Sequence, residues 1–345
     1  MPGVELLALG WTPERAAALP PGSEPARVAR VDRSRLGVLA ADGERRVRSA
    51  AALHGDAVAG GPAVGDWVAL RGELAVAVLP RTSAFTRTVA GRTSAVQVVA
   101  ANIDVVLVVD SLVGETRLRR VERYLAVAWS SGATPVVVLT KADLCADPDG
   151  TVAQVAADAP GAAVLAVSSL TGSGLDGVRA HLGPGRTAAM VGPSGVGKSS
   201  LLNALAGHPV AATREIRDDG RGRHTTTARE LHRLPDGTLL VDTPGMRELG
   251  LYDDLDGVDR AYADVTELAA ACRYRDCDHR TEPGCAVAAA IDDGRLDPGR
   301  LTAWRKLQSE ARRQLLRVDA RARAEDRARL RALHRSRRAQ PARLR

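Results

Sequence analysis

The sequence predicts a multidomain chain: an N-terminal OB-like β-barrel, a central α/β domain built around a P-loop, and a C-terminal metal-binding module with a basic helical tail. Three observations carry this reading. Five short β-type runs separated by turns fall between residues 28 and 79. From Ile103 onward apolar runs alternate with helical segments, and one run leads straight into a glycine-rich loop. Three cysteines and a histidine then crowd into fourteen residues.

Taken in chain order, residues 1–24 are a short helical or irregular lead that ends at Pro20-Pro21-Gly22. Residues 25–92 hold the barrel strands Val28–Val31, Leu36–Ala40, Arg45–Ser49, Asp66–Leu70 and Leu74–Leu79, with turns at Asp42-Gly43 and Gly72. An SH3-like barrel fits these runs nearly as well as an OB-fold. Residues 93–255 form the α/β domain. Its strands are Ile103–Val109, Pro135–Leu139, Ala163–Val167 and Thr187–Val191, and its helices are Arg117–Trp129, Leu175–Leu182 and Lys198–Ala206. A hairpin, Leu231–Leu234 and Thr238–Val241 around Pro235-Asp236-Gly237, ends at Asp242. Such alternation predicts a mostly parallel sheet with ligands at the strand C-termini. Residues 256–345 contain a mixed segment, the cysteine cluster and an Ala/Arg-rich helical tail from about Pro298.

Composition narrows the setting. Of 345 residues, 45% are hydrophobic and 26% charged, as in ordinary globular proteins. No run approaches the ~20 apolar residues that span a bilayer, and the start lacks the pattern of a secretory signal, so the expected location is the cytoplasm with no membrane partner. The net charge of +7 is concentrated: Arg300–Arg345 carries 16 basic against 4 acidic residues, leaving the remainder mildly acidic. That tail suits contact with a phosphate backbone as well as it suits a solvated helix end. Only three of the 48 basic residues are lysines: Lys141, Lys198 and Lys306. In a chain pushed so far toward arginine, a lysine marks a place where a planar guanidinium fails. Two of the three fall in the motifs described next.

Gly192-Pro193-Ser194-Gly195-Val196-Gly197-Lys198-Ser199 fits the P-loop pattern at every fixed position, with Ser200 following into the helix. Its backbone N–H groups can cradle phosphates, Lys198 can reach the β- and γ-phosphates, and Ser199 can ligate Mg2+. Downstream, Asp242-Thr243-Pro244-Gly245 places a carboxylate for Mg2+ and a glycine N–H for the γ-phosphate. Upstream, Thr140-Lys141-Ala142-Asp143 closes one strand and Ser168-Ser169 the next. A carboxylate at Asp143 can accept from guanine N1–H and N2–H2, a pair of donors that adenine lacks. The alkyl stem of Lys141 can lie over the purine. The serines can offer backbone contacts to guanine O6. This marks the nucleotide as GTP, with GDP as product. A P-loop kinase or ATPase is the alternative, as is an RNA-binding protein that uses nucleotide as a non-hydrolysing lock.

Cys272, Cys277, His279 and Cys285 follow the spacing C-x4-C-x-H-x5-C. Three thiolates and an imidazole make a closed tetrahedral structural zinc site, one per chain, with no open position for catalysis.

The base-reading motifs precede the P-loop, whereas in Ras-like GTPases they follow it. This permuted order resembles the circularly permuted GTPases. Within them the chain closely resembles the ribosome small-subunit-dependent GTPase family, RsgA or YjeQ, over nearly its whole length. Gly65-Asp66-Trp67-Val68, the cysteine–histidine cluster and the switch I segment Arg223–Thr227 carry that likeness. The resemblance implies a monomeric GTP hydrolase (EC 3.6.1.-) that binds the small ribosomal subunit and its rRNA, acts late in subunit maturation and is stimulated by the ribosome. Met246 stands where Ras-like proteins place a water-orienting glutamine, and the resemblance assigns that role to His224, catalytic alongside Lys198. Thr225 or Thr226 would close on Mg2+ and the γ-phosphate. One position departs: the family usually has asparagine where this chain has Thr140. The expectation is that guanine selectivity persists through Asp143.

Overall fold

The computed structural model describes residues 4–32, 35–54, 61–88, 96–114, 118–209, 230–242, 255–280 and 282–318, with 323, 324 and 327. The lead consists of two short helices, α1 (Val4–Ala8) and α2 (Pro13–Ala17). Thr12 caps α2, its hydroxyl accepting from the Arg15 amide, and Pro13 suits the first turn, where no N–H partner is needed. Leu6, Leu9 and Trp11 are buried, and Trp11 packs against Trp67 with ring centroids 4.7 Å apart.

Five strands form the barrel: β1 (Glu24–Val31), β2 (Arg35–Ala40), β3 (Gly43–Ser49), β4 (Trp67–Arg71) and β5 (Leu74–Val78). Alternation turns Leu36, Val38 and Ala40 inward beside Ala26, Val28, Val47, Val68, Leu70 and Ala75. The sheet runs β1-β2-β3-β5-β4, and β4 pairs back onto β1. All neighbours are antiparallel except β3 and β5. A closed five-strand ring with that one parallel seam is the OB arrangement, and it decides against the SH3-like alternative. A hairpin of β6 (Ala84–Thr88) and β7 (Val96–Ala101) leads out of the barrel. Sequence patterning did not reveal it.

The α/β domain continues through β8 (Val105–Ser111), α3 (Leu118–Ser130), β9 (Thr134–Thr140), α4 (Pro148–Ala157), β10 (Ala163–Ala166), α5 (Leu175–His181), β11 (Thr187–Val191), α6 (Lys198–Ala206), β12 (Glu230–Arg233) and β13 (Leu239–Asp242). Spatially the strands run β10-β9-β8-β11-β13-β12, parallel except for β12. The strands are apolar because both faces are covered. Val106, Val108, Val137 and Leu139 pack in the cluster that includes Leu125 of α3, while Val105, Leu107, Val136 and Val138 share the other with Leu201 and Leu205 of α6. β11 lies inside the sheet with β8 and β13 as neighbours, so its loop opens above the middle of the domain.

The barrel is not a separate bead. β1 also pairs with β12 through Arg30 and Glu230, whose side chains meet at 2.7 Å. Arg27 fills the joint. Its guanidinium donates to the carbonyls of Leu9 (2.6 Å), Gly65 (3.0 Å) and Asn102 (3.1 Å) and to the Thr187 hydroxyl (2.8 Å). Burial pulls its pKa down to about 10, aided by nearby Arg15, which still leaves it charged at neutral pH.

The mixed C-terminal segment is helical: α7 (Leu255–Ala261), α8 (Ala263–Ala270), α9 (Ala286–Asp292) and α10 (Pro298–Val318). Val258, Ala261, Val265, Val287, Leu301 and Leu307 join the same core as Val121 and Leu125 of α3. A buried polar cluster locks this docking. Glu122 of α3, 1% exposed, accepts from Arg300 (2.8 Å) and from the Tyr262 hydroxyl (2.9 Å). Arg300 also pairs with Asp264 and lies over the Tyr262 ring. Among the described residues no helix is long and apolar enough to cross a membrane.

Candidate nucleotide and metal sites

The ends of β8, β9, β10 and β11 converge on one edge of the sheet, and those of β9, β10 and β11 carry residues singled out by their motifs. β11 breaks into the loop at Gly192, which has φ +148° and sits so close to the Val109 carbonyl that a Cβ would lie 2.1 Å from its oxygen. Gly197, at φ +96°, then turns the chain into α6. Pro193, Ser194 and Gly195 are open to solvent to varying degrees, while Val196 is buried. Lys198 folds back over the loop and donates to the carbonyls of Gly192 (2.9 Å) and Pro193 (2.6 Å). Ser199 and Ser200 occupy the first turn of α6, where free N–H groups and the helix dipole favour an anion. This geometry presents a concave set of donors suited to phosphate oxygens.

Two strands away, β9 ends at Thr140. Its hydroxyl approaches the Asp110 carbonyl at 3.1 Å and the Val196 carbonyl of the P-loop more closely. Lys141 takes a left-handed conformation, φ +63°, and opens a 3-10 turn over Ala142–Leu144. The Ala142 amide donates to the Val167 carbonyl (3.0 Å), which joins this loop to the end of β10. The Asp143 side chain is exposed, and its carboxylate accepts from the Ser168 hydroxyl. Ser168 is buried and accepts in turn from the amides of Leu170 (3.3 Å) and Thr171 (3.2 Å), while Ser169 is half-exposed beside it. An acceptor-only carboxylate is thus held at the rim of the same edge as the phosphate cradle.

Asp110 was not foreseen. It is buried at the end of β8, accepts from Arg120 of α3 at 2.9 Å and 3.0 Å, and so ties that helix to the strand end that Thr140 touches. Its only sequence signal was an acidic residue closing an apolar run. The backbone of Asp242 ends β13, beside β11. His224, Thr225, Thr226 and Gly245 lie outside the described residues.

Cys272, Cys277, His279 and Cys285 do come together, with ligand atoms all within 4.8 Å of one another. The Cys272 sulfur is 3.5 Å from His279 Nδ1 and 3.9 Å from the Cys285 sulfur, and Cys285 is 3.7 Å from Nδ1. Tetrahedral bonds of about 2.3 Å to sulfur and 2.0–2.1 Å to nitrogen imply ligand separations of about 3.6–3.8 Å. Burial, with the charge of Arg305, lowers the His279 pKa and keeps the ring neutral, as a ligand must be. Burial also pushes the Cys277 thiol up to about 12. Three sulfurs and an imidazole nitrogen at these separations match the donor set of a tetrahedral metal ion, so the residues fit one. Cys145, by contrast, is half-buried and packs against the main core.

A P-loop at the end of an interior parallel strand, joined through the Thr140 hydroxyl to an aspartate-bearing loop that precedes it in sequence, defines a P-loop GTPase of circularly permuted order. The profile of the RsgA GTPase family matches residues 78–252. The Small ribosomal subunit biogenesis GTPase RsgA of Streptomyces coelicolor is 47% identical over 333 residues, covering 93% of this chain and 90% of that relative. Its counterpart from Opitutus terrae is 44% identical over 337 residues, covering 91% and 92%. The crystal structure of YjeQ from Thermotoga maritima superposes with a TM-score of 0.63 at 24% identity, covering 84% of this chain and 98% of that one, and so shares the fold. The chain belongs to the RsgA GTPase family, and it is a GTP hydrolase.

Proposed function

We propose that this protein binds the small ribosomal subunit and acts in its late maturation, hydrolysing GTP to GDP and phosphate when the subunit engages it. One observation carries the reading most: a phosphate cradle and an aspartate-bearing loop share one edge of the sheet in a chain whose relatives, matched over nine-tenths of their length, are named for this role. The cytoplasm is the place such work requires, and a monomer is the form in which the barrel and the C-terminal module are both free for RNA.

The proposed site roles rest on the motifs and, for the described residues, on their positions. Lys198 moves from the Gly192 and Pro193 carbonyls to the phosphates, which replace those acceptors with charged ones. Amides from Gly192 to Ser200 orient the phosphate chain. Asp143 accepts from guanine N1–H and N2–H2, and Lys141 covers the ring face. His224 orients the attacking water, and Thr225 or Thr226 with Gly245 closes the γ-phosphate end. When bound at Ser199 and Asp242, Mg2+ offsets the phosphate charge. Zinc at Cys272, Cys277, His279 and Cys285 holds the loop between α8 and α9 in shape. The proposed domain limits are 25–92, 93–255 and 256–345 after the lead 1–24. rRNA contacts fall to the barrel, which can hold structured or single-stranded RNA, and to the basic tail.

The test is cosedimentation. With a non-hydrolysable GTP analogue the protein should pellet with purified small subunits, and with GDP it should largely stay in the supernatant. Binding that ignores the nucleotide, or is absent in both states, would defeat the proposal.

A further inference from the structure

We propose that this protein recognises guanine by its base-pairing edge alone and leaves N7 unread, because Thr140 serves as a tether to the P-loop and does not contact the base. The inference rests on the GTP-binding reading above. Guanine offers two donors, N1–H and N2–H2, and two acceptors, O6 and N7. Reading N7 therefore takes a donor at the strand-end loops.

On the two base-reading loops the buried side-chain hydroxyls are Thr140 and Ser168, and the structure commits both. Thr140 is only 2% exposed. Its hydroxyl has one proton, and the groups it meets are two carbonyls, that of Val196 in the P-loop and that of Asp110 at 3.1 Å. Its oxygen also packs 3.3 Å from where a Cβ on Gly197 would stand, so it is pressed against the phosphate loop. A hydroxyl so enclosed and so engaged has neither the proton nor the access to meet a base. The Ser168 hydroxyl gives its proton to Asp143 and accepts from the Leu170 and Thr171 amides. Of the motif residues left outward, Asp143 only accepts and so addresses only N1–H and N2–H2, Lys141 covers the ring face, and Ser169 offers its backbone to O6.

This assigns Thr140 a positioning role with a distinct signature. Removing its hydroxyl frees the Val196 carbonyl and loosens the cradle, which weakens every nucleotide by the same factor. Removing N7 from the ligand changes nothing.

The experiment is calorimetric titration of the full chain with GDP, ADP, inosine diphosphate and 7-deaza-GDP, in which a C–H replaces N7. The native protein should bind GDP and 7-deaza-GDP within about twofold of each other. Inosine diphosphate, which lacks the amino group, should bind at least about tenfold more weakly. Thr140→Val should weaken GDP and 7-deaza-GDP alike, by about tenfold, and Thr140→Ser should retain native affinity for both. GDP preferred over 7-deaza-GDP by about tenfold in the native protein would overturn the inference, as would a ratio that changes in Thr140→Val. Because the first comparison uses native protein, poor folding of a variant does not protect the idea. GDP and ADP bound alike would instead bring down the guanine reading itself, and this inference with it.

Discussion

The Asp143 carboxylate stands at the solvent edge, steadied by one hydroxyl from the neighbouring strand end. Nothing about that environment suits a structural role, since an exposed carboxylate holding a single serine adds little stability. Its value lies in being an oriented acceptor. Changing Asp143→Asn should lower GTP affinity by about 10- to 100-fold, the loss of one or two charge-assisted hydrogen bonds. The same change should raise affinity for xanthosine triphosphate, whose C2 carbonyl accepts where guanine donates. Competition binding checks both halves, and unchanged nucleotide choice would contradict the assignment. Residues of this kind were legible in the sequence because their chemistry is carried by short, contiguous patterns. Lys198 and Asp143 could be read from their own neighbourhoods, and the scarcity of lysine sharpened both motifs. Thr140 was legible only as a departure. That its hydroxyl turns inward to Val196 depends on how close the P-loop comes to β9, and no local pattern records that distance.

At the scale of elements, α3 is the part whose importance the sequence concealed. It reads as an ordinary amphipathic helix, yet it joins the strand end at Asp110 on one side and the C-terminal helices on the other. Nothing local marks Glu122 as buried, because two of its partners, Tyr262 and Arg300, are 140 and 178 residues away. Replacing Arg300 with Leu should destabilise the protein by about 3 kcal/mol, since it leaves the buried Glu122 carboxylate with only the half-exposed Arg119 and the Tyr262 hydroxyl. The double change with Glu122→Leu should recover part of that loss, because an apolar pair removes the orphaned charge. Urea unfolding measures both, and strictly additive losses would contradict the network. The Arg123–Glu310 pair pins α10 to the same helix at 2.7 Å. The hydrogen bond from Arg123 holds the Glu310 carboxyl below its ordinary 4.5, against the opposing pull of burial. Its stabilising effect is therefore complete above about pH 4.5 and fades as pH falls through the lower folded-state value. Glu310→Gln should cost stability at pH 7 and much less near pH 3. The cysteine cluster was easy to foresee, being contiguous, while α9, which Cys285 caps, was hidden among alanines without turn signals. The protein as purified should carry one zinc per chain, and chelation should open all three cluster cysteines to thiol reagents that left them untouched before. Full labelling without chelator would refute the metal assignment.

Across the whole molecule, three regions that composition separates are mechanically one. β1 belongs to the barrel and, through Arg30 and Glu230, also borders the strand that follows switch I. Arg27 binds the lead, the barrel and the first residue of β11, the strand that carries the P-loop. On the opposite side the C-terminal module grips α3, which reaches Asp110, Thr140 and Val196 in turn. The two outer ends of the molecule, those proposed to meet rRNA, thus connect to the first residue of the P-loop strand through Arg27 and to the nucleotide edge through α3. In sequence, Asp242-Thr243-Pro244-Gly245 leads into the metal module at Cys272 within about thirty residues. The structure adds a route through α3 that patterning could not disclose, since it depends on long-range packing. The motif order and the barrel pattern were readable in advance, the joints between them were not. The central claim is that engagement of a small subunit at those ends is felt at the phosphates. Measuring GTP hydrolysis by the purified protein with and without purified small subunits tests it most directly. The account predicts slow turnover alone and a rise of at least about tenfold with small subunits; turnover that is the same with and without them would contradict it.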